Sequence, residues 1–219
     1  IGAAVSGSEI KDHDDISKMF PGVVEALDLI GSTQIQGRCT MVGNLCNASP
    51  AADSVPALIA VEAKVNIFSP EGSRSCRVEE IPTAPGKTSL KKGEFIVSVD
   101  IPCRPKFSSD AYLRFTPRTE MDIAVVSAAV ALTMSKDGVC EKAKVVLGAV
   151  APTVKVVHEA SKVLIGSCLD QNTIKEMSQL CIDACSPISD KRGTVEFRTD
   201  VAGVLAARAA KKAYSRAGF

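Results

Sequence analysis

The sequence has no tryptophan, only two histidines, and few aromatic residues of any kind, 4% in all. Its charge is nearly balanced at a formal +1, so nucleic acid is not expected as the main partner. No apolar run approaches the ~20 residues of a membrane span, and the first residues lack the basic leader of a signal peptide. The remainder, 219 residues of which 46% are apolar, predicts a soluble globular protein of one large or two small domains.

Spacing typical of a metal site is also missing, although the chain has eight cysteines. None forms Cys-x-x-Cys, and neither His13 nor His158 lies near a cysteine in the sequence. Cys181 and Cys185 share one face of a predicted helix, which two core thiols explain as well as a ligand pair would. We interpret the cysteines as reduced thiols of a cytoplasmic protein and expect no metal site; an iron–sulfur module is the weaker alternative.

One stretch, residues 40–53, combines small, polar and backbone-exposing residues with almost no bulky side chain. Gly43 permits close approach of the backbone to a ligand or a positive φ, and Asn44 supplies an amide that both donates and accepts. Pro50 is well placed to open a helix, with Asp53 near its start. We therefore expect a loop whose polar groups converge on an anion or a sugar.

The pattern Thr-x-x-Gly-Asn-Leu-x-x-Ala-Ser-Pro-x-x-Asp in this stretch resembles the second flavin-binding motif of the FAD subunit of molybdenum hydroxylases. The family includes xanthine dehydrogenase, aerobic carbon monoxide dehydrogenase and nicotinate oxidoreductases. Its members have two glycines before the asparagine, whereas this chain has Val42 and Gly43. If the loop needs a positive φ at Val42, the substitution costs about 1–2 kcal/mol.

The second half resembles the C-terminal domain of the same subunits. Residues 118–124 match its first segment, and residues 189–198 match its Ser-Asp-x-Arg-Gly-x-x-Glu-Tyr-Arg signature, with Phe197 in place of tyrosine. The resemblance implies an α+β fold, in which the second subdomain of a PCMH-type FAD-binding domain precedes a CO dehydrogenase flavoprotein C-terminal-like α+β domain. We place the first in residues 1–106 and the second in residues 107–219.

The local patterns predict the elements of both domains. We expect a short strand and a turn in residues 1–10, a helix opened by Pro21, and strands at residues 63–69 and 95–102. Residues 125–134 fit a buried strand or a buried helix, and β-branched residues favour the strand. An antiparallel sheet with three helices should form the second domain. The predicted helices of that domain span residues 156–164, 172–185 with Asn172 as N-cap, and 199–217.

The resemblance also implies which residues contact the cofactor. They are Thr40, Met41, Val42, Gly43, Asn44, Asp53, Ile96 and Arg114. Ordinary structural roles remain open for several of them: a tight turn at Gly43 and Asn44, a helix cap at Asp53, a buried strand position at Ile96 and a solvated charge at Arg114. No catalytic acid or base is expected, because the redox chemistry belongs to the flavin.

Family subunits also carry, before this region, a first flavin-binding glycine loop, and this chain contains no such loop, so we expect the FAD site to be only partly present. The resemblance implies an FAD-dependent oxidoreductase subunit of the xanthine dehydrogenase type. Electrons would come from a molybdopterin-binding large subunit through the [2Fe–2S] clusters of a small subunit, and pass to an external acceptor. The alternative is a non-enzymatic interaction module of such a complex that no longer binds flavin.

Overall fold

Two main sheets, one in each half of the chain, organise the fold. The computed structural model describes residues 1–119 and 121–219, so Glu120, part of the motif at residues 118–124, lies outside the described residues. The first half contains helices α1 (Gly7–Lys11), α2 (Asp14–Met19), α3 (Pro21–Asp28), α4 (Thr33–Gln36), α5 (Met41–Cys46) and α6 (Ser54–Ala60). Its strands are β1 (Lys64–Ser69), β2 (Gly72–Arg77), β3 (Pro82–Ala84), β4 (Lys87–Thr88) and β5 (Phe95–Asp100). A 3-10 turn at Val78–Glu80 follows β2.

The second half is a four-stranded antiparallel sheet covered by three helices, as the sequence predicted. Its strands are β6 (Ser108–Phe115), β7 (Val126–Met134), β8 (Cys140–Gly148) and β9 (Lys155–Val156), hydrogen-bonded in that order. Its helices are α7 (His158–Leu164), α8 (Gln171–Asp183) and α9 (Val195–Arg216). The buried run that sequence alone left open is therefore strand β7.

Strand order in the first half is β2-β1-β5, all antiparallel, with β3 and β4 forming a separate small hairpin. Val65 and Ile67 of β1 point to the buried face, while Lys64 and Phe68 point to solvent. This alternation follows from the two-residue period of a strand. The helices α3, α5 and α6 supply most of the remaining apolar core of this half.

The two halves share a buried interface. Tyr112, Ala129 and Val146, from three adjacent strands of the second sheet, belong to the apolar core of the first half. Helices α3 and α6 lie on this face, whereas α9 covers the opposite face. Close approach requires glycine at Gly148, since a Cβ there would lie 2.3 Å from Ser127 Oγ and 2.9 Å from Pro56 Cγ. Both faces of the second sheet are thus covered.

Helix α3 is fixed to both β6 and α9 through one carboxylate. Glu25 accepts a hydrogen bond from the Tyr112 backbone amide at 3.0 Å. The same carboxylate accepts hydrogen bonds from Arg216, at 2.6 Å, and from Lys212, both on α9. Although burial raises the pKa of Glu25, the hydrogen bonds from these partners bring it below its ordinary value. The pairing links elements from the two ends of the chain.

Several local predictions were wrong. Residues 1–5 form only a bridge between Gly2 and Ser98, and the predicted turn after them is helix α1, begun by a reciprocal cap between Ser6 and Glu9. Asn172 is not an N-cap, because Asp170 caps α8 by accepting from two backbone amides. Helix α9 begins at Val195 rather than at residue 199, because the Thr194 hydroxyl caps it.

None of the helices in residues 1–119 and 121–219 combines the length and the apolar character needed to cross a bilayer.

Candidate functional site

The central motif folds as a short helix rather than as the predicted loop. Thr40 is the N-cap of α5, and its side-chain oxygen accepts a hydrogen bond from the Gly43 amide at 2.9 Å. Gly43 is exposed on the helix surface and does not adopt a positive φ. Val42 is helical too, so the strain considered at this position is absent; the left-handed residue is Ala48, with φ of +48°. Pro50 opens no helix, since α6 begins at Ser54.

Asn44 is directed toward the start of α6. Its Oδ1 accepts hydrogen bonds from the Ser54 amide at 3.1 Å and the Ser54 hydroxyl at 2.7 Å. Ser54 is fully buried, whereas Asn44 is half-buried. Among the hydrogen bonds of the described residues, none uses the Nδ2 of Asn44, which leaves two N–H donors for a ligand.

Asp53 faces the second half of the protein instead of capping α6. Its Oδ1 accepts a hydrogen bond from Tyr112 Oη at 2.6 Å, and its Oδ2 accepts one from Arg114 Nη1 at 2.8 Å. Asp53 makes no side-chain cap bond with α6. Burial raises the pKa of Asp53 to about 6, although Arg114 and Tyr112 act in the opposite direction. The carboxylate is thus used within the chain, by two residues of β6.

Arg114 extends this row of polar contacts to a pocket, although its side chain is only 4% exposed. It lines a pocket of about 170 Å³ together with residues 31–33 and Thr119. On the far side of the pocket Lys11 pairs with Asp28. Most groups lining the pocket are hydroxyls, amides and charges, so it suits a polar ligand rather than an apolar one.

The other predicted residues divide into two groups. Met41 and Val42 are buried in the core of the first half, so only their backbone atoms are near the surface of α5. Ile96 is buried on β5 and lines a different, open pocket of about 580 Å³, together with residues 2–5 and Glu9. The structure therefore brings Asn44, Asp53 and Arg114 together through Ser54, and places Ile96 at a second location.

Three features of the site were missed from sequence. Tyr112 was treated as an ordinary strand residue, although the two-residue period of β6 places it on the same face as Arg114. Ser54 follows Asp53 directly and carries no sequence signal for its partner Asn44. Residues 31–33 follow the helix opened by Pro21, and no pattern in them predicts a pocket. The strand period was the one signal that could have identified Tyr112.

The donors at this surface fit the acceptors of FAD. Phosphate and flavin carbonyl oxygens accept hydrogen bonds, and the pocket is lined by the Arg114 guanidinium and the Thr33 hydroxyl, whereas the Ser32 hydroxyl already donates to Gln34. The Nδ2 of Asn44 is a further donor outside this pocket. Among residues 1–119 and 121–219, no group of three or more His, Cys, Asp or Glu side chains is arranged to hold a metal ion. The chemistry that these residues can perform is binding and electrostatic, without an acid–base or nucleophilic pair.

Two family models match the chain, one in each half. Residues 1–105 match the FAD binding domain in molybdopterin dehydrogenase, and residues 111–213 match the CO dehydrogenase flavoprotein C-terminal domain. The carbon monoxide dehydrogenase medium chain of Afipia carboxidovorans is 33% identical over 217 residues, which cover 99% of this chain and 75% of that relative.

Two further comparisons agree with these matches. The xanthine dehydrogenase FAD-binding subunit of Escherichia coli O157:H7 is 26% identical over 219 residues, which cover 100% of this chain and 75% of that relative. Among solved structures, reconstituted CO dehydrogenase from Oligotropha carboxidovorans is similar with a TM-score of 0.93 and 32% identity, covering 99% of this chain and 75% of that one.

Proposed function

The chain belongs to the family of FAD-binding subunits of molybdopterin dehydrogenases, the molybdenum hydroxylases, and from this we propose that it holds FAD along the polar line, the row of contacts that runs from Asn44 on α5 to Arg114 on β6. Family membership confirms the resemblance read from residues 40–53 and 189–198. The proposed location of FAD rests on one observation, the chain of contacts from Asn44 through Ser54 and Asp53 to Arg114.

Different residues would serve different parts of the cofactor. The exposed Gly43 backbone, the Thr40 cap and the free Nδ2 of Asn44 form one end of the line. Arg114 supplies a positive charge at the other end, beside residues 31–33. Met41 and Val42 contribute backbone only, and Asp53, whose two oxygens each accept one hydrogen bond within the chain, acts through Arg114.

Bound FAD supplies the acceptance of electrons and their transfer onward; the chain supplies placement and electrostatics. The Arg114 guanidinium favours negative charge that develops in the pocket, most strongly when its partner Asp53 is protonated. The burial of Asp53 and Tyr112 behind it keeps water away from that ion pair, so its electrostatic effect is stronger than at an exposed site.

The division of the chain is part of the same proposal. We place the boundary between residues 106 and 107, in the segment between β5 and β6. This segment holds Pro102 and Pro105 and contains no helix or strand. A boundary here assigns Asp53 and Arg114 to different domains, so the proposed cofactor line crosses from one domain to the other.

We propose that the enzyme is of the xanthine dehydrogenase type in its broad sense. Such an enzyme has three parts: a molybdopterin-binding large subunit, a [2Fe–2S] small subunit and this flavoprotein subunit. The names of the relatives, a medium chain and an FAD-binding subunit, are in keeping with such a complex. The eight free thiols of the chain support a cytoplasmic location.

The test is the visible absorption spectrum of the protein purified from its natural complex. We expect a flavin band and stoichiometric FAD. Reduction of a dye with xanthine as electron donor would support the xanthine type, whereas reduction with carbon monoxide or nicotinate, and not with xanthine, would overturn that part. A fully folded complex that releases no FAD on denaturation would overturn FAD binding and favour the interaction module.

A further inference from the structure

Tyr112 is held on every side in the interior. It is 1% exposed, and its Oη donates to Asp53 Oδ1 at 2.6 Å. Glu25 accepts a hydrogen bond from the Tyr112 backbone amide at 3.0 Å. Because Tyr112 is buried and both its backbone amide and its phenol have hydrogen-bond partners, the phenol has little freedom to reorient.

We propose that Tyr112 is a positioning residue for the flavin site: its hydroxyl fixes the Asp53 carboxylate, and the carboxylate in turn holds the Arg114 guanidinium at the pocket beside Gly31 and Thr119. This inference rests on the proposed function and deepens it. It assigns a role to a residue that does not itself face the pocket. Asp53 becomes an intermediary between Tyr112 and Arg114.

The net charge at the pocket depends on whether the Asp53 carboxyl carries a proton. When Asp53 is ionised it neutralises Arg114, and when Asp53 is protonated Arg114 presents a net positive charge. Burial raises the pKa of Asp53 to about 6, so the carboxyl takes up this proton as the pH falls through that value.

Few other charges affect this equilibrium. Arg114 and Tyr112 are the ionisable groups that act on Asp53 in the described part of the chain, and the facing groups on α5 and α6, Asn44 and Ser54, are neutral. On α1 and α3, Lys11 and Asp28 line the pocket but pair with each other. Removing the Tyr112 hydroxyl takes away a hydrogen bond to the ionised carboxylate, which moves its pKa further up.

The experiment compares Tyr112→Phe with wild type and with the matched control Tyr214→Phe, whose hydroxyl lies on α9 at the other side of the molecule. All three are purified in the complex. FAD content is measured after the cofactor is released by denaturation, and the flavin midpoint potential is measured by spectroelectrochemistry at several values between about pH 5 and 8. A positive charge beside the flavin raises its potential, because it favours the reduced, more negative form.

We expect Tyr112→Phe to keep its FAD and to have a higher potential than wild type, with the largest difference between about pH 6 and 7 and little difference at either end. The transition should move up by about one pH unit. Tyr214→Phe should follow wild type. A Tyr112→Phe profile that also coincides with wild type, with FAD retained, would overturn the inference.

A second variant keeps the inference testable if Tyr112→Phe does not fold. Asp53→Asn removes the titrating group, so the transition near this pH should disappear while FAD stays bound. If the transition persists in Asp53→Asn, the inference is wrong. If Asp53→Asn loses FAD with an unchanged melting temperature, Asp53 is a direct ligand and the positioning role is wrong. Absence of FAD from wild type would instead contradict the proposed function itself.

Discussion

The side-chain oxygen of Asn44 accepts hydrogen bonds from both the amide and the hydroxyl of Ser54, at 3.1 and 2.7 Å. This pair joins the end of α5 to the start of α6 and therefore sets where Asp53, the residue before Ser54, is held. The oxygen of Asn44 is therefore structural, and its nitrogen is the part available to the proposed cofactor site.

Asn44→Ala should destabilise the protein. The change leaves the buried amide and hydroxyl of Ser54 without their acceptor, which costs about 1–3 kcal/mol. For a chain of this length each kcal/mol corresponds to a fall of roughly 2–4 °C in melting temperature. Calorimetry beside Asn47→Ala, an exposed residue at the end of the same helix, checks this. Equal melting temperatures for the two variants would show that the Ser54 contacts carry no stability.

Val42→Gly should weaken the fold rather than relieve strain. Val42 is helical and 8% exposed, so glycine removes a buried side chain and adds backbone freedom, at about 2–4 kcal/mol together. Val204→Gly, on the exposed face of α9, isolates the cost of a helical glycine. Thermal unfolding should show Val42→Gly well below Val204→Gly. A rise in melting temperature with tighter FAD binding would instead show that Val42 is strained.

Gly43→Ala should separate binding from folding. Alanine favours a helix by about 1 kcal/mol, so the melting temperature should hold or rise, although the new Cβ would lie 3.1 Å from Thr40 Oγ1. FAD affinity, measured by titration, should fall at least about tenfold if the cofactor contacts this backbone. Gly37→Ala is the control, since its Cβ would have an ordinary 3.7 Å contact. Unchanged affinity in Gly43→Ala would remove α5 from the site.

Glu25→Gln should lower stability at neutral pH and less so in acid. The pKa of Glu25 is below its ordinary 4.5 in the folded state: burial raises it, but Arg216, Lys212 and the Tyr112 amide lower it more. Its stabilising contribution is therefore present above the unfolded pKa and lost as the pH falls through the folded one. Melting curves should show the gap between wild type and variant closing below about pH 4.5. A gap that is constant with pH, as for the exposed control Glu176→Gln, would contradict this.

The family and the fold class followed from sequence because long motifs and strong strand patterns carry them. Residues 95–100 and 126–134 form strands as their β-branched content predicts. The conformation of the central motif did not follow from sequence. Its six residues, Met41–Cys46, are compatible with a loop as well as with a helix, and in the structure Thr40 caps them as a helix. Its flanking Gly and Pro residues suggested turns.

The partners of Asp53 could not be predicted for a different reason. Tyr112 and Arg114 lie far away in the sequence, and their contact with Asp53 depends on how the two halves pack. Sequence periodicity places Tyr112 and Arg114 on one face of β6 but does not say which helix covers that face. The burial that raises the pKa of Asp53 is a property of the assembled fold alone.

Hydrogen–deuterium exchange of the protein with and without bound FAD tests the central claim most directly, because it locates the cofactor on the chain. We predict slower amide exchange on FAD binding in peptides covering residues 28–47 and 111–119, with peptides of α8 unchanged as an internal control. Protection confined to other segments, or no protection at residues 28–47 and 111–119 in a protein saturated with FAD, would contradict the account.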